Sequence, residues 1–195
     1  MGRPKAWLPL GEETLLHRVA AVAGSVCSVV VVVAAPQQSL PPLPPGAVRV
    51  DDPPALAGLG PLAGALTGLH SAAERGADLV YLGAVDGAWI TARHIDAMLG
   101  VLAASPDVDA IVPETAADGA GRRIVHATSG ALRLAPARDA ATALLGADQR
   151  ALMRLYDRLG ARRVAVATLP DPDVVRACNT LAQYEAARAW LAGRP

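Results

Sequence analysis

Hydrophobic residues along this chain follow two alternating patterns, one typical of helices and one typical of buried strands. Apolar residues at positions 15, 16, 19, 20, 22 and 23 recur with the spacing of one helix face, and Gly24 stands where that helix would end. Residues 28–35 instead form a β-branched run without polar alternation, as expected of a parallel strand covered on both faces. Together these patterns predict helices over residues 12–23, 60–76, 91–104, 137–145, 149–159 and 181–192, and strands over residues 28–35, 47–50, 78–85, 108–112, 123–127 and 162–167.

The alternation of strands with helices predicts the fold class. Parallel strands need long crossover connections, usually helical, so the pattern indicates an α/β fold with a mostly parallel sheet between two helical layers. A chain of 195 residues can bury one sizeable core, and residues 1–195 are therefore predicted to form a single domain.

Charge and composition restrict the classes of partner. The 18 basic and 18 acidic side chains give a net charge of zero, so nothing attracts nucleic acid or an acidic membrane over a long range. The apolar run over residues 29–35 is too short to cross a bilayer, and no basic segment precedes it as in a signal peptide. Cys27 and Cys178 lack metal-ligand spacing and are interpreted as reduced packing residues. We therefore expect a cytoplasmic protein with neither a nucleic-acid nor a membrane partner.

Four segments carry candidate chemistry. Lys5 follows a short turn near the start of the chain, where its ammonium group could reach phosphate oxygens. Gly60-Pro61-Leu62-Ala63-Gly64 starts a predicted helix with glycines that permit close approach of a flat base. Asp86 follows a buried strand, at the sheet edge where α/β folds bind ligands, and Asn179 with Thr180 precedes the last helix.

These segments together resemble the molybdenum cofactor guanylyltransferases over essentially the whole chain. Met1, Gly2 and Lys5 match that family's Met-Gly-x-x-Lys segment, and Leu10 and Gly11 also fall where the family has them. Members of the family open with a strand and a Leu-Ala-Gly-Gly-x-Ser-x-Arg loop ahead of that Met. The resemblance therefore implies a Rossmann-like nucleotidyltransferase domain that lacks the first strand and the Gly-rich loop. We expect an upstream coding segment to supply both, and we expect a slot in the sheet where the strand is missing.

The resemblance also implies roles for individual residues. It assigns Lys5 to the triphosphate, Asp86 to Mg²⁺ and Asn179 to the metal and molybdopterin side. It assigns Arg150 to the phosphate of the pterin. The guanine nucleoside would be contacted by an acidic residue, Asp52 or Asp51, and by the segment that contains Gly60, Pro61, Leu62 and Gly64.

The implied reaction is transfer of GMP from GTP to molybdopterin, which releases pyrophosphate and leaves a guanine dinucleotide form of the cofactor. Molybdoenzymes or their chaperones are candidate protein partners. One alternative is a cytidylyl or sugar-nucleotide transferase of the same fold. Another is a non-catalytic homologue, or a truncated gene product, that binds a nucleotide or a molybdoenzyme.

The non-catalytic alternative rests on departures from the family pattern. The sequence around Asp86 lacks the family's Pro-Cys-Asp-x-Pro, and the first Asn of Asn-x-Asn-Thr is replaced by Ala177. His126 lies where a His-Pro pair is usual, but no Pro follows it, and a hydrogen-bonded strand histidine is the preferred interpretation.

Overall fold

The computed structural model describes residues 4–116 and 122–193. Met1 and Gly2, which carry part of the family resemblance, lie outside the described residues. The helices are α1 (Leu15–Gly24), α2 (Pro61–Ala73), α3 (Ala92–Ala103), α4 (Leu134–Gly146), α5 (Leu152–Arg158) and α6 (Leu181–Ala192). The strands are β1 (Pro9–Leu10), β2 (Glu13–Thr14), β3 (Val30–Ala34), β4 (Ala47–Asp51), β5 (Leu79–Gly83), β6 (Ala110–Thr115), β7 (Ile124–Val125), β8 (Ser129–Arg133) and β9 (Arg162–Ala165). Short 3-10 turns occupy Lys5–Trp7, Val166–Thr168 and Pro172–Val175.

The strands form two main sheets. Strands β3 and β4 pair in parallel, and a larger sheet has the order β5-β8-β6-β7, with β9 also paired to β6. Strand β9 is parallel to β6, whereas β8 runs antiparallel to both β5 and β6. Strands β5, β6 and β9 therefore share one direction, and the predicted mostly parallel arrangement is interrupted by β8.

Helices cover both faces of the larger sheet. On β8, Leu132 packs into the core cluster formed with α2, α4 and α5, whereas its neighbour Ala131 packs with Met98 and Leu102 of α3. Successive residues of a strand point to opposite faces, so these two contacts place helices on the two sides. The result is the predicted α/β/α layering. Its core contains no phenylalanine and consists mainly of Leu and Ala, but it also buries Trp89, Tyr156 and Met98.

Strand β8 was not predicted from the sequence, and the predicted strand over residues 123–127 is reduced to β7. Strand β8 has the sequence Ser-Gly-Ala-Leu-Arg, which contains no β-branched residue. Packing in the folded protein explains why glycine occupies position 130. A Cβ atom at Gly130 would collide with the hydroxyl of Tyr156 and lie 2.8 Å from the carbonyl oxygen of Ile111. Tertiary contact selects glycine here and overrides strand propensity.

Threonine hydroxyl caps mark the starts of α1, α3 and α6. Thr14 accepts a hydrogen bond from the backbone N–H of His17 at 3.3 Å, and Thr91 accepts one from that of His94 at 3.2 Å. Helix α1 therefore begins at Leu15, three residues later than predicted, because Glu13 and Thr14 pair with β1 as a small antiparallel ladder. Helix α2 begins at Pro61, where the lack of an N–H is tolerated.

A slot separates the two sheets. Strand β3 pairs with β4 along one edge and β5 pairs with β8 along one edge; in the described part of the chain, neither strand is paired at its other edge. A cavity of about 780 Å³ lies between them, lined by residues 29–35 on one side and 79–85 on the other. The gap expected from the sequence is thus present in the sheet.

Over residues 4–116 and 122–193, no helix combines the length and the apolar character needed to cross a bilayer.

Candidate functional site

Lys5, Asp86 and Asn179 meet in one cluster. The ammonium nitrogen of Lys5 lies 3.0 Å from Oδ2 of Asp86 and also donates a hydrogen bond to Oδ1 of Asn179. The side chains of Lys5 and Asp86 are 33% and 25% exposed, so the cluster is sheltered but open to a ligand. The three residues that the resemblance assigned to the triphosphate and the metal are therefore brought together by the fold.

The main chain around Asp86 holds its carboxylate at the end of β5. The backbone N–H of Gly87 donates to the carbonyl of Ala84 at 3.0 Å, which closes a turn beneath Asp86. The N–H of Cys178 donates to the carbonyl of Asp86 at 2.9 Å and so joins this turn to the segment that carries Asn179. Cys178 is a buried free thiol, in keeping with the predicted packing role, and burial raises the pKa of that thiol.

Asn179 is fixed by a capping box at the start of α6. The side chain of Gln183 accepts hydrogen bonds from the backbone N–H groups of Asn179 and Thr180, at 2.8 and 2.9 Å. The hydroxyl of Thr180 in turn accepts from the N–H of Gln183. This local arrangement positions the Asn179 amide toward Lys5.

Asp52 lies at the end of β4, on the opposite side of the slot. Its N–H donates to the carbonyl of Ala34 at 2.9 Å, and its Oδ1 accepts a hydrogen bond from the hydroxyl of Thr67 at 2.8 Å. Asp51 is instead engaged by Nε of Arg49 at 2.7 Å. Of the two acids left open by the sequence, Asp52 is the one that lines the cavity.

Gly60 adopts a backbone conformation that favours glycine, with φ of 91°, directly before α2. A Cβ atom built on Gly60 would lie 3.8 Å from the carbonyl oxygen and 3.9 Å from Cβ of Arg150, so Arg150 stands beside this turn. Nη2 of Arg150 lies 2.8 Å from Oδ1 of Asp148, and half of the Arg150 side chain is exposed. The guanidinium group therefore remains accessible to an anionic ligand.

Gly60, Pro61 and Gly64 line the cavity, whereas Leu62 does not. Its side chain is 0% exposed and belongs to the core cluster beneath α2. Any contact between Leu62 and a nucleoside would therefore come from its main chain, which lies in the first turn of the helix.

One cavity connects the two groups of residues. Asp52, Gly60 and Gly64 line it after β4 and at the start of α2, whereas the cluster of Lys5 and Asp86 adjoins it through Ala6, Ala84 and Val85. The carboxyl ends of the strands of an open α/β sheet are the usual place for a ligand. A nucleotide held between Asp52 and Lys5 would lie across this mouth.

The donors at Asp86 suit a magnesium ion. Among the residues described, no group of three His, Cys, Asp or Glu side chains could hold a metal by itself. Magnesium is commonly bound through one or two carboxylates, with phosphate oxygens and water completing its shell. Asp86 and Asn179 both direct side-chain oxygens at one cation, which in this structure is the ammonium group of Lys5.

His126 lies outside this site. Its Nε2 is 2.8 Å from the hydroxyl of Thr115, so the ring is hydrogen-bonded as predicted, although the residue directly follows β7 instead of lying within it. Burial lowers the pKa of its imidazole. Sequence reasoning did not identify Thr67, whose hydroxyl contacts Asp52. The sequence did hold one indication of this role. Thr67 lies one helical turn after Ala63 of the Gly-Pro-Leu-Ala-Gly segment and therefore on the same helix face.

Comparison with known proteins agrees with the architecture and the motifs. The MobA-like NTP transferase domain family matches residues 1–166. A probable molybdenum cofactor guanylyltransferase from Mycobacterium bovis (strain BCG / Pasteur 1173P2) is 35% identical over 169 residues, covering 86% of this chain and 78% of the relative. The protein of the same name from Mycobacterium marinum is 33% identical over 170 residues, covering 85% and 77%.

Solved structures share the fold at low sequence identity. The 2-C-methyl-D-erythritol 4-phosphate cytidylyltransferase from Thermus thermophilus has a TM-score of 0.74 at 20% identity, covering 97% of this chain and 94% of that one. Molybdopterin-guanine dinucleotide biosynthesis protein A from Archaeoglobus fulgidus has a TM-score of 0.71 at 13% identity, covering 99% and 93%. These similarities confirm the predicted Rossmann-like nucleotidyltransferase fold. Because the family match and the mycobacterial relatives each span most of its length, this chain belongs to the MobA-like NTP transferases, a family of nucleotidyltransferase enzymes.

Proposed function

We propose that this protein transfers GMP from GTP to molybdopterin, in the cytoplasm, and releases pyrophosphate. The observation that carries the proposal is the meeting of Lys5, Asp86 and Asn179. Their chain neighbours Ala6, Ala84 and Val85 line the same cavity as Asp52 and Gly60. Family membership and the guanylyltransferase names of the mycobacterial relatives support the choice of substrates.

In the proposed reaction, a terminal phosphate oxygen of molybdopterin attacks the α-phosphorus of GTP. A new oxygen–phosphorus bond forms as the bond from the α-phosphorus to the oxygen bridging the β-phosphate breaks. That bridging oxygen takes the bonding electron pair and leaves as part of pyrophosphate. Such a displacement needs positioning and charge stabilisation, and no covalent intermediate on the protein.

Lys5 supplies the positive charge nearest the triphosphate. Its ammonium group now donates to Asp86 and Asn179, and it retains a third proton for a phosphate oxygen. Because the group is only partly exposed, its attraction for phosphate is screened less than that of a fully solvated lysine. Lys5 would thereby orient the triphosphate for attack at its α-phosphorus.

Asp86, with the Asn179 amide oxygen beside it, would hold Mg²⁺. When bound there, the metal would neutralise triphosphate charge. The main chain at Asp86 is held by the turn over residues 84–87 and by the Cys178 N–H, which donates to the Asp86 carbonyl, so little reorganisation of the backbone is needed to present the carboxylate.

Asp52 would receive the guanine base. A carboxylate is an acceptor of hydrogen bonds, and guanine presents adjacent N–H donors on its pairing edge, whereas cytosine presents an amino donor beside an acceptor nitrogen. Thr67 already holds one carboxylate oxygen of Asp52, and the glycines of residues 60–64 allow a flat ring to approach the main chain. Arg150 beside Gly60 is assigned to an anionic phosphate of the acceptor.

Pyrophosphate release tests this proposal directly. The protein expressed from its natural gene is incubated with molybdopterin, Mg²⁺ and either GTP or CTP. We expect release with GTP, dependence on molybdopterin, and loss of release in Asp86→Asn. A preference for CTP would assign the protein to the cytidylyl transferases, and absence of release with both nucleotides would favour a non-catalytic nucleotide-binding homologue.

A further inference from the structure

Gln38 is a second polar residue that lines the cavity near Asp52. The two residues follow neighbouring parallel strands, β3 and β4. The N–H of Asp52 donates to the carbonyl of Ala34 at 2.9 Å. The amide oxygen of the Gln38 side chain accepts a hydrogen bond from the N–H of Ala35 at 3.1 Å. Both residues are therefore anchored to the carboxyl end of β3, at consecutive positions of the chain.

A tight turn after β3 fixes the position of Gln38. Pro36 stands second in this turn and Gln37 third, where its φ of 62° lies in the left-handed region. The main-chain N–H of Gln38 donates to the carbonyl of Ala35 at 3.0 Å, and Nη1 of Arg49 donates to the carbonyl of Gln38 at 2.8 Å. Strained non-glycine residues persist where surrounding contacts hold the chain in one shape, and they are concentrated at ligand sites. Gln38 is thus held in place before any ligand binds.

The contact with Ala35 also decides which end of the Gln38 amide is left for a ligand. A main-chain N–H can only donate, so the side-chain oxygen of Gln38 faces Ala35. The nitrogen, with two N–H donors, remains for a ligand in the cavity. Asp52 has the opposite polarity, because an ionised carboxylate only accepts, and it keeps acceptor sites beyond the one that Thr67 occupies. One donor group and one acceptor group therefore border the same side of the cavity.

This pair of groups complements the pairing edge of guanine. Guanine presents the acceptor O6 next to the N1–H and 2-amino donors, whereas adenine and cytosine present an amino group in the place of O6. An amino group opposite the Gln38 amide would bring two donors together and leave one of them without a partner, which weakens binding in a sheltered site. Hydrogen-bond polarity at Gln38 therefore favours a purine with an oxygen at position 6.

We propose that Gln38 determines base specificity by donating from its amide nitrogen to O6 of guanine, while Asp52 accepts from N1–H and the 2-amino group. This assignment rests on the proposed use of GTP and adds the residue that distinguishes position 6 of the base. Gln38 selects an oxygen at position 6, and Asp52 selects the amino group at position 2. Nucleotides that differ from GTP at one of these positions measure the two contributions separately.

Nucleotide binding without an acceptor, and hence without turnover, tests the role of Gln38. Isothermal titration of the protein expressed from its natural gene compares GTP with 6-thio-GTP, whose sulfur is a weak acceptor, and with ITP, which lacks the 2-amino group. In Gln38→Met, the affinity for GTP should fall by about tenfold, and the preference for GTP over 6-thio-GTP should disappear, because no donor faces position 6. The preference for GTP over ITP should remain, because Asp52 is unchanged.

Two further variants separate recognition of the base from support of the loop. Gln38→Glu keeps an oxygen for the N–H of Ala35 but cannot donate when ionised, so it should also lose the preference for GTP over 6-thio-GTP. Ser39→Ala lies in the same loop and retains the carbonyl that accepts from Nε1 of Trp7. It should bind all three nucleotides like the unaltered protein.

The outcomes distinguish failure of the proposed function from failure of this assignment. Tighter binding of CTP than of GTP by the unaltered protein would overturn both. Selective binding of GTP that is unchanged in Gln38→Met and Gln38→Glu would overturn the role of Gln38 alone. Equal loss of the preferences over ITP and over 6-thio-GTP in these two variants would indicate a displaced loop, and would also overturn it.

Discussion

The ammonium group of Lys5 lies 3.0 Å from the carboxylate of Asp86, although 81 positions separate the two residues in the chain. Their side chains reach each other because the first turn of the described chain and the end of β5 lie at the same edge of the fold. The pair is only partly exposed, so each charge would act on a bound triphosphate with limited screening.

Replacement of Asp86 tests the metal-binding part of the proposal. Asp86→Asn keeps the shape of the side chain but removes its negative charge, and we expect turnover with GTP and Mg²⁺ to fall by about 100-fold or more. Asp139→Asn is the matched control, because Asp139 is an exposed helical residue paired only loosely with Arg138 at 3.7 Å. Loss of activity in both variants would contradict a specific role for Asp86.

Thr67 should act on base binding through Asp52. Thr67→Val preserves the branched shape but removes the hydroxyl that donates to Asp52 at 2.8 Å, so the affinity for GTP should fall by about fivefold. Thr67→Ser retains the hydroxyl and should restore most of that affinity. Isothermal titration with GTP measures both variants. Equal binding by Thr67→Val and the unaltered protein would show that Asp52 needs no such support.

His94 should make the fold sensitive to acid. Its side chain is 0% exposed, and neither ring nitrogen has a hydrogen-bond partner among the described residues. Burial lowers the pKa of His94 from 6.5 to about 4, against opposing effects of Ser129 and Asp171. Between pH 6.5 and about 4, the imidazole of His94 is therefore neutral in the folded protein, whereas in the unfolded chain it binds a proton.

Stability should therefore fall as the pH drops from about 6.5 to about 4, with a contribution from His94 on the order of 3 kcal/mol. His94→Leu should flatten this part of the profile, whereas His70→Gln at an exposed position should not. Urea unfolding at a series of pH values measures the slopes. The same slope in His94→Leu and the unaltered protein would exclude His94 as its source.

Gly130 should tolerate no side chain. In Gly130→Ala the new methyl group would collide with the Tyr156 hydroxyl and the Ile111 carbonyl, and overpacking of this kind costs about 1 to 3 kcal/mol. Gly146→Ala is the control, because a Cβ atom there meets nothing within 4 Å and alanine favours the helix. Thermal unfolding should show a clear loss for Gly130→Ala and little change or a small gain for Gly146→Ala. Equal melting of the two variants would contradict the close packing of β8 on α5.

The sequence was most informative where local pattern and tertiary role agree. The β-branched run of β3 and the Pro61 start of α2 follow directly from strand and helix preferences, and both are observed. Strand β8 has no such local signal, because Gly130 and Ala131 are selected by contacts with Tyr156 and α3 that only the assembled fold provides.

The candidate site shows the same division. Motif resemblance singled out Lys5, Asp86 and Asn179 individually, but no spacing in the chain indicates that one ammonium group would contact both of the others. Likewise, the sequence does not indicate that Asp52 lines the cavity and Asp51 does not. Successive residues of a strand point to opposite faces, so Asp51 and Asp52 point in opposite directions. The contacts of Asp51 with Arg49 and of Asp52 with Thr67 show which direction each side chain takes.

The capping box at the start of α6 has a consequence for thermal inactivation. Gln183 holds the main chain at Asn179, Tyr184 donates to the carbonyl of Pro9, and Gly11 packs against Leu191 of the same helix. Helix α6 thus contacts the segment that follows Lys5 in the chain. Only Ala187 of this helix is fully buried. An element with so little buried surface detaches at a lower free energy than the central sheet does. On warming, the protein should therefore lose the proposed binding of triphosphate while most of its secondary structure is still intact, so that inactivation precedes melting.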